Sequence, residues 1–187
     1  MNIIRTEIEG VLIIEPRVVA DGRGYFMEDF NRKLFEENVG RIDFVQENES
    51  MSVRGVIRGL HFQRPPHAQA KLVRCVFGEV LDVALDLRKG SPTYGRHVAV
   101  KLSGDNRRQC FLPRGVAHGF AVLSTTAMFQ YKCDNYYHPE SEGGISIADG
   151  SLGIDWHINP DEAILSDKDR RHPLLKDFES PFIYGKQ

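Results

Sequence analysis

Tryptophan occurs once and cysteine only three times in the 187 residues. Cys75, Cys110 and Cys133 are odd in number, far apart and in no CxxC or CxxH pair. That excludes a disulfide framework and a structural zinc site of ordinary spacing. Each stands in an apolar run, the setting of a small buried hydrophobe. Charge of one sign is also lacking: 24 Lys and Arg face 26 Asp and Glu, for a net charge of -2. Nucleic-acid binders carry a basic excess or stripe, so nucleic acid is not expected as a partner. No apolar run approaches the roughly 20 residues of a membrane-spanning helix, so no membrane partner is expected. The opening Met1-Asn2-Ile3-Ile4-Arg5 has no basic region followed by a signal-type apolar stretch. A cytoplasmic location is expected on that ground. There is no internal repeat, low-complexity tract or break in composition, so residues 1–187 read as a single domain.

What is present is aromatic and mostly of period two. Eleven Phe, six Tyr and a hydrophobic share of 41% are globular values. In Val80–Leu87, Leu81, Val83, Leu85 and Leu87 fall on one face and Asp82 and Asp86 on the other, as in a strand with one dry face. Leu72–Phe77 precedes it, and Gly78-Glu79 between them reads as a tight hairpin turn. Val11–Ile14, His97–Leu102, Gln109–Leu112, Gly119–Leu123 and Met128–Cys133 are further strand candidates, separated by Gly-, Pro- and Ser-containing turn signals. One internal helix is expected over Asn31–Val39, capped by Asn31 and ended at Gly40. Asp161–Lys176 reads as helical turns and loop. Many short strands with little helix predict an all-β fold, a jelly-roll β-sandwich with a few short helices.

The polar residues cluster in Arg54–Pro66, Pro113–Phe120, Tyr131-Lys132-Cys133 and Ser166–Asp169. Singly, each has an ordinary explanation: a structural histidine, a core tyrosine with its hydroxyl bonded, a solvated charged loop. Pro113-x-Gly115-x-x-His118 and Gly55-x-x-x-x-x-His61 resemble the two half-motifs of the cupin superfamily, whose metal-binding members hold a His/His/Glu/His set inside a jelly roll. Here Gln63 stands where the second His is expected, and the Glu between His61 and Gly78 has no counterpart. Two imidazoles and an amide are a poor set for zinc or iron, so no metal is expected.

A narrower resemblance covers residues 22–175. Arg58-Gly59-Leu60-His61-Phe62-Gln63, Ala68–Arg74, Gly78–Arg88, Ser91–Gly95, Ala117-His118-Gly119-Phe120, Tyr131-Lys132-Cys133 and Leu165–Asp169 follow one another as in the dTDP-4-dehydrorhamnose 3,5-epimerase family. The resemblance implies a nucleotide-diphosphate sugar as substrate, dTDP-linked, with a ketone at C4. C3 and C5 flank that ketone, so their hydrogens are acidic. Inversion needs a base on one face, an acid on the other and a group to stabilise the enolate oxygen. It needs no cofactor. By resemblance His61 is the base, an apt role because imidazole titrates near neutral pH. Asp169 is its carboxylate partner, Tyr131 the acid and Lys71 the cation near the C4 oxygen. Arg23, Phe26, Glu28, Gln46, Asn48, Arg58, His118, Glu142 and Lys168 match substrate-contacting positions. The resemblance also implies a homodimer whose N-terminal strands cross between subunits.

Two details bear on these expectations. Arg58 and His61 are an odd number of residues apart, so strand alternation puts them on opposite faces. They share a pocket only if Gly59 forms a bulge or the strand ends there. Gln46-Glu47-Asn48-Glu49-Ser50 departs from the commoner family pattern QDNHS, with a carboxylate at Glu49 in place of a His. Within the same chemistry, an epimerase acting at C3 or C5 alone would keep the same base, acid and cation. A non-catalytic sugar-binding cupin would have no use for all three.

Overall fold

The computed structural model describes residues 1–186. The described residues form thirteen strands: β1 (Asn2–Arg5), β2 (Leu12–Glu15), β3 (Val18–Asp21), β4 (Gly24–Met27), β5 (Gln46–Val53), β6 (Ile57–Gln63), β7 (Lys71–Phe77), β8 (Glu79–Asp86), β9 (His97–Ser103), β10 (Gln109–Leu112), β11 (Val116–Val122), β12 (Thr126–Cys133) and β13 (Glu142–Gly144). One sheet has the order β1-β2-β10-β7-β12-β5, a second β13-β6-β11-β8-β9, and β3 pairs only with β4. The two large sheets face each other as a sandwich, in line with the all-β expectation. The single α-helix, α1 (Arg32–Asn38), is capped as expected, with the Asn31 side chain accepting from the Leu34 N–H. From Pro160 onward the described residues contain three short 3-10 turns.

Three apolar clusters hold this arrangement. Val73, Cys75, Val80, Ala84, Leu102, Cys110, Phe120 and Phe129 fill the space between the sheets. Phe120 and Phe129 stack with ring centroids 4.2 Å apart. Ile57, Leu60, Phe62, Leu81, Val83 and Leu85 cover the outer face of the five-stranded sheet, packed by Ile145, Leu152, Trp156 and Phe182 from the last quarter of the chain. Phe35 of α1 caps the outer face of the other sheet against Leu12, Leu72 and Phe111. All three cysteines are free and buried, as the apolar runs predict. Burial pushes the Cys75 and Cys133 thiols up to about 11, leaving them as neutral packing groups.

Two expectations are corrected. Gly78 does not make a hairpin, because β7 and β8 lie in different sheets. It carries the chain around the corner at φ +77, with a Cβ there only 2.1 Å from the Thr126 carbonyl oxygen. A corner this tight has the same sequence signature as a two-residue hairpin. Nor is the Asp82/Asp86 face of β8 wet: both aspartates are fully buried. Asp86 is paired to Arg88 at 2.8 Å and accepts from Ser91 and Thr93 at 2.6 and 2.7 Å, and Asp82 lies against His118. Buried carboxylates survive in a core only with such partners, and a paired one is indistinguishable from a solvated one in a periodicity pattern.

Candidate active site

The pocket begins with a break in alternation. β11 and β6 pair His118 with His61, then Phe120 with Arg58, so three residues of β6 oppose two of β11. The extra residue is Gly59, at φ +136. A Cβ there would stand 2.5 Å from Gly119 Cα, which reserves the position for glycine. The bulge flips the parity of β6. Ile57, Leu60 and Phe62 all reach the outer apolar cluster, and Arg58 and His61 share the inner face. This is the condition set out above for the two to serve one pocket.

A cavity of about 280 Å³ lies between the sheets. The five-stranded sheet supplies His61 and Glu142, and the six-stranded sheet supplies Gln46, Asn48, Lys71 and Tyr131. The pairings explain the grouping. β12 sets Tyr131 beside Asn48 on one flank and Cys133 beside Lys71 on the other. The Lys71 ammonium sits 5.9 Å from the Tyr131 ring centre. β5 turns Gln46, Asn48, Ser50 and Ser52 inward, and Ser52 Oγ accepts from the Arg58 guanidinium at 3.1 Å.

Each titratable group has an identifiable environment. His61 Nε2 lies 2.5 Å from Asp169 Oδ1, and the His61 ring is partly open to the cavity. Burial opposes charge on Asp169, but the facing His172 and His61 imidazoles outweigh it and hold its carboxyl well below the usual carboxylate range. Burial, against the pull of Cys133, Glu142 and Asp82, lowers the Lys71 ammonium below its ordinary value. Burial raises the Tyr131 phenol, which keeps its proton through neutral pH. At the mouth, Glu142 takes an ion pair from Lys168 and a hydrogen bond from the Tyr137 hydroxyl at 2.6 Å. Those two donors, against the cost of burial, hold Glu142 ionised, and the bond to Glu142 pushes Tyr137 up to about 12.

Arg58 stands on the inner face against Ser52, and the other sequence-predicted residues fall into three groups. His61, Lys71, Tyr131, Gln46, Asn48 and Glu142 line the cavity, with Asp169 behind His61 and Lys168 at the rim. His118 lies beneath, buried, with Nε2 2.6 Å from Asp82 Oδ1 and its ring stacked on Phe129. Arg23, Phe26 and Glu28 are not brought to the cavity. They sit on or just after the β3–β4 arm, which pairs with neither large sheet, and Phe26 is 73% exposed. Gln63 has a different task from a metal ligand. Its amide donates to the His67 and Tyr136 carbonyls at 2.9 and 3.0 Å and accepts from the His138 N–H at 2.6 Å, fastening two loops of the rim together.

The family model for dTDP-4-dehydrorhamnose 3,5-epimerase matches residues 5–177. The chain belongs to the dTDP-4-dehydrorhamnose 3,5-epimerase family. An enzyme of that name from Shigella flexneri is 57% identical over 171 residues, covering 90% of this chain and 93% of its own. The structure of a Legionella pneumophila dTDP-6-deoxy-D-glucose-3,5-epimerase, in complex with dTDP-4-keto-L-rhamnose, superimposes with a TM-score of 0.93 at 49% identity, over 100% of this chain and 98% of that one. A Streptomyces niveus relative, 43% identical over 90% of this chain and 81% of its own, is a dTDP-4-dehydrorhamnose 3-epimerase. The family match takes in both the arm with Arg23, Phe26 and Glu28 and the segment with Lys168 and Asp169. Three neighbours of the epimerase-family residues were not legible in the motifs: Asp82 under His118, Tyr137 on Glu142, and His172 beside Asp169. The first carried a signal, an acidic residue in an otherwise apolar stretch of strand, but the other two carried none.

Proposed function

We propose that this protein inverts a dTDP-linked 4-keto-6-deoxyhexose at C3 and C5, giving dTDP-4-dehydro-L-rhamnose. The observation that carries the reading is the supply of one cavity by a base and an acid from opposing sheets. His61 comes from β6 and Tyr131 from β12, with Lys71 beside the tyrosine. With Nε2 donating to Asp169, His61 keeps Nδ1 as the nitrogen with a free lone pair. That nitrogen takes the proton next to the ketone, and the Asp169 carboxylate stabilises the resulting imidazolium. Lys71 holds the developing charge on the C4 oxygen, and Tyr131 returns a proton on the opposite face. A binding module has no use for a base, an opposed acid and a buried cation together.

The arm fits a homodimer. Arg23, Phe26 and Glu28 do not line the His61–Tyr131 cavity of their own chain, and Val19, Tyr25 and Phe26 leave an apolar surface exposed. An isologous contact would seat the arm at the partner's cavity, where Arg23 suits a diphosphate. Light scattering should give twice the chain mass; a monomer at micromolar concentration contradicts the pairing. Cytoplasmic work fits the substrate class, and among the described residues no helix is long and apolar enough to cross a membrane.

The deciding experiment incubates the protein with dTDP-4-keto-6-deoxyglucose in heavy water and follows C3 and C5 by NMR. Deuterium should enter both positions with inversion; entry at one alone would make this a single-centre epimerase. Tyr131→Phe should let deuterium into unepimerised substrate faster than product forms. Epimerisation at the unmodified rate in that variant would remove Tyr131 from its role.

A further inference from the structure

Two groups of side chains gather two imidazoles and a carboxylate within 4.8 Å: His61, Asp169 and His172, and His67, His138 and Glu140. The second does not converge. Its rings are stacked at 3.5 Å with 12° between planes, so their lone pairs run parallel and cannot meet at one ion. The first does converge. The His61 and His172 rings stand at 73° to each other, and both present Nε2 to Asp169 Oδ1, at 2.5 and 3.6 Å.

His172 faces the Asp169 carboxylate but does not bond to it. Its Nε2 is buried and has no hydrogen-bond partner, since 3.6 Å to Asp169 is too long for one. Its place is also built. Gly144 pairs with His61 across the β13–β6 ladder, and a Cβ at Gly144 would lie 2.5 Å from His172 Nε2. The absent side chain is what admits the ring.

We propose that His61, Asp169 and His172 form an inhibitory site for a divalent transition-metal ion of the zinc class. Ligands bonded tetrahedrally to zinc at about 2.0–2.1 Å stand roughly 3.3 Å apart. The His172–Asp169 separation already suits this, and the His61–Asp169 pair has to open by less than about 1 Å. A histidine, a carboxylate and a second histidine are a donor set zinc accepts, with a fourth position left for water. Binding has a defined cost to the chemistry. The ion takes the Nε2 lone pair of neutral His61, so the ring proton moves from Nε2 to Nδ1. No proton is lost, but Nδ1 no longer has a lone pair to accept the substrate's hydrogen. The site itself rests on geometry alone; its inhibitory effect rests on the epimerase reading.

Calorimetric titration of zinc into the chelator-treated, full-length protein tests the site without catalysis. One ion per chain is expected. Loss of an outer-shell partner alone weakens metal binding about 10–100-fold. His172→Gln, which keeps bulk over Gly144, and His172→Ala should therefore each bind zinc at least about tenfold more weakly. His138→Ala should bind as the native chain does. In the deuterium-exchange assay, zinc should slow the native protein and chelator should restore it. Each His172 variant, measured against its own zinc-free rate, should resist. Equal zinc affinity in the native and His172→Gln proteins, or loss of binding in His138→Ala instead, overturns the proposal. If no exchange occurs in any protein, the epimerase reading fails and the titration still decides the site.

Discussion

The molecule contains two histidine–aspartate pairs that are nearly the same in geometry and neighbours on one ladder. His61 meets Asp169 at 2.5 Å and His118 meets Asp82 at 2.6 Å, and His61 and His118 face each other across β6 and β11. They differ in access. The His61 side chain is 29% exposed and opens on the cavity, and the His118 side chain is 8% exposed and stacked under Phe129. They also differ in origin: Asp82 is fixed in the middle of β8, but Asp169 arrives on a 3-10 turn from the end of the chain. A short bond to a carboxylate is therefore not what marks a base. The mark is a free lone pair facing space large enough for substrate.

The comparison breaks most sharply at the histidines. His61→Ala should lower turnover by about 10⁴-fold, the upper end for a positioned base, and abolish solvent exchange at C3 and C5. His118→Ala should cost no more than about 10²-fold, because it removes a buried neighbour and leaves a base facing the cavity. Steady-state rates for the two variants check this, and equal losses would erase the distinction. The aspartates give the next contrast. Asp169→Asn should fall between native and His61→Ala in rate, since it keeps the size but can hold the wrong tautomer. Asp82→Asn should act on stability, by about 1–3 kcal/mol, because its carboxylate is wholly buried and His118 depends on it. Steady-state rates separate the two, with the larger loss expected in Asp169→Asn.

The smallest effect lies in acid. Asp169 titrates lower in the folded chain than in the unfolded one, against the cost of its burial, because His172 and His61 face it. Its stabilisation is present above the unfolded carboxylate value, about 3.9, and drains as pH falls towards the folded value. Asp169→Asn should therefore flatten the acid side of the stability–pH curve. A curve as steep as the native one would show that the pair does not hold that charge.

Much of this is legible in the sequence. The strand β8 shows itself by alternation and β10 and β12 as short runs between turn signals, and the parity of Arg58 and His61 required the irregularity that Gly59 provides. What stayed hidden had physical reasons. β5 carries Gln46, Asn48, Ser50 and Ser52 on its inner face and glutamates on its outer one, so hydrophobic periodicity is blind to it. Its inner face is polar because it lines a cavity, not a core. Gly78 was misread because a sheet-to-sheet corner and a hairpin need the same backbone freedom. Asp82 and Asp86 were misread because pairing is a property of three dimensions. The place of Arg23, Phe26 and Glu28 was not legible because the β3–β4 arm pairs with neither large sheet, so no strand register ties it to the cavity.

The last quarter of the chain covers the outer face of the five-stranded sheet with Ile145, Leu152, Trp156 and Phe182, and also delivers Asp169. During synthesis, which proceeds from the N-terminus, every strand is made before that segment is. A nascent chain ending at Gly144 thus carries the whole sandwich, His61, Lys71 and Tyr131, yet has an uncovered apolar sheet and a histidine with no carboxylate. The same docking step that hides the sheet from other newly made chains also brings the proposed base its carboxylate.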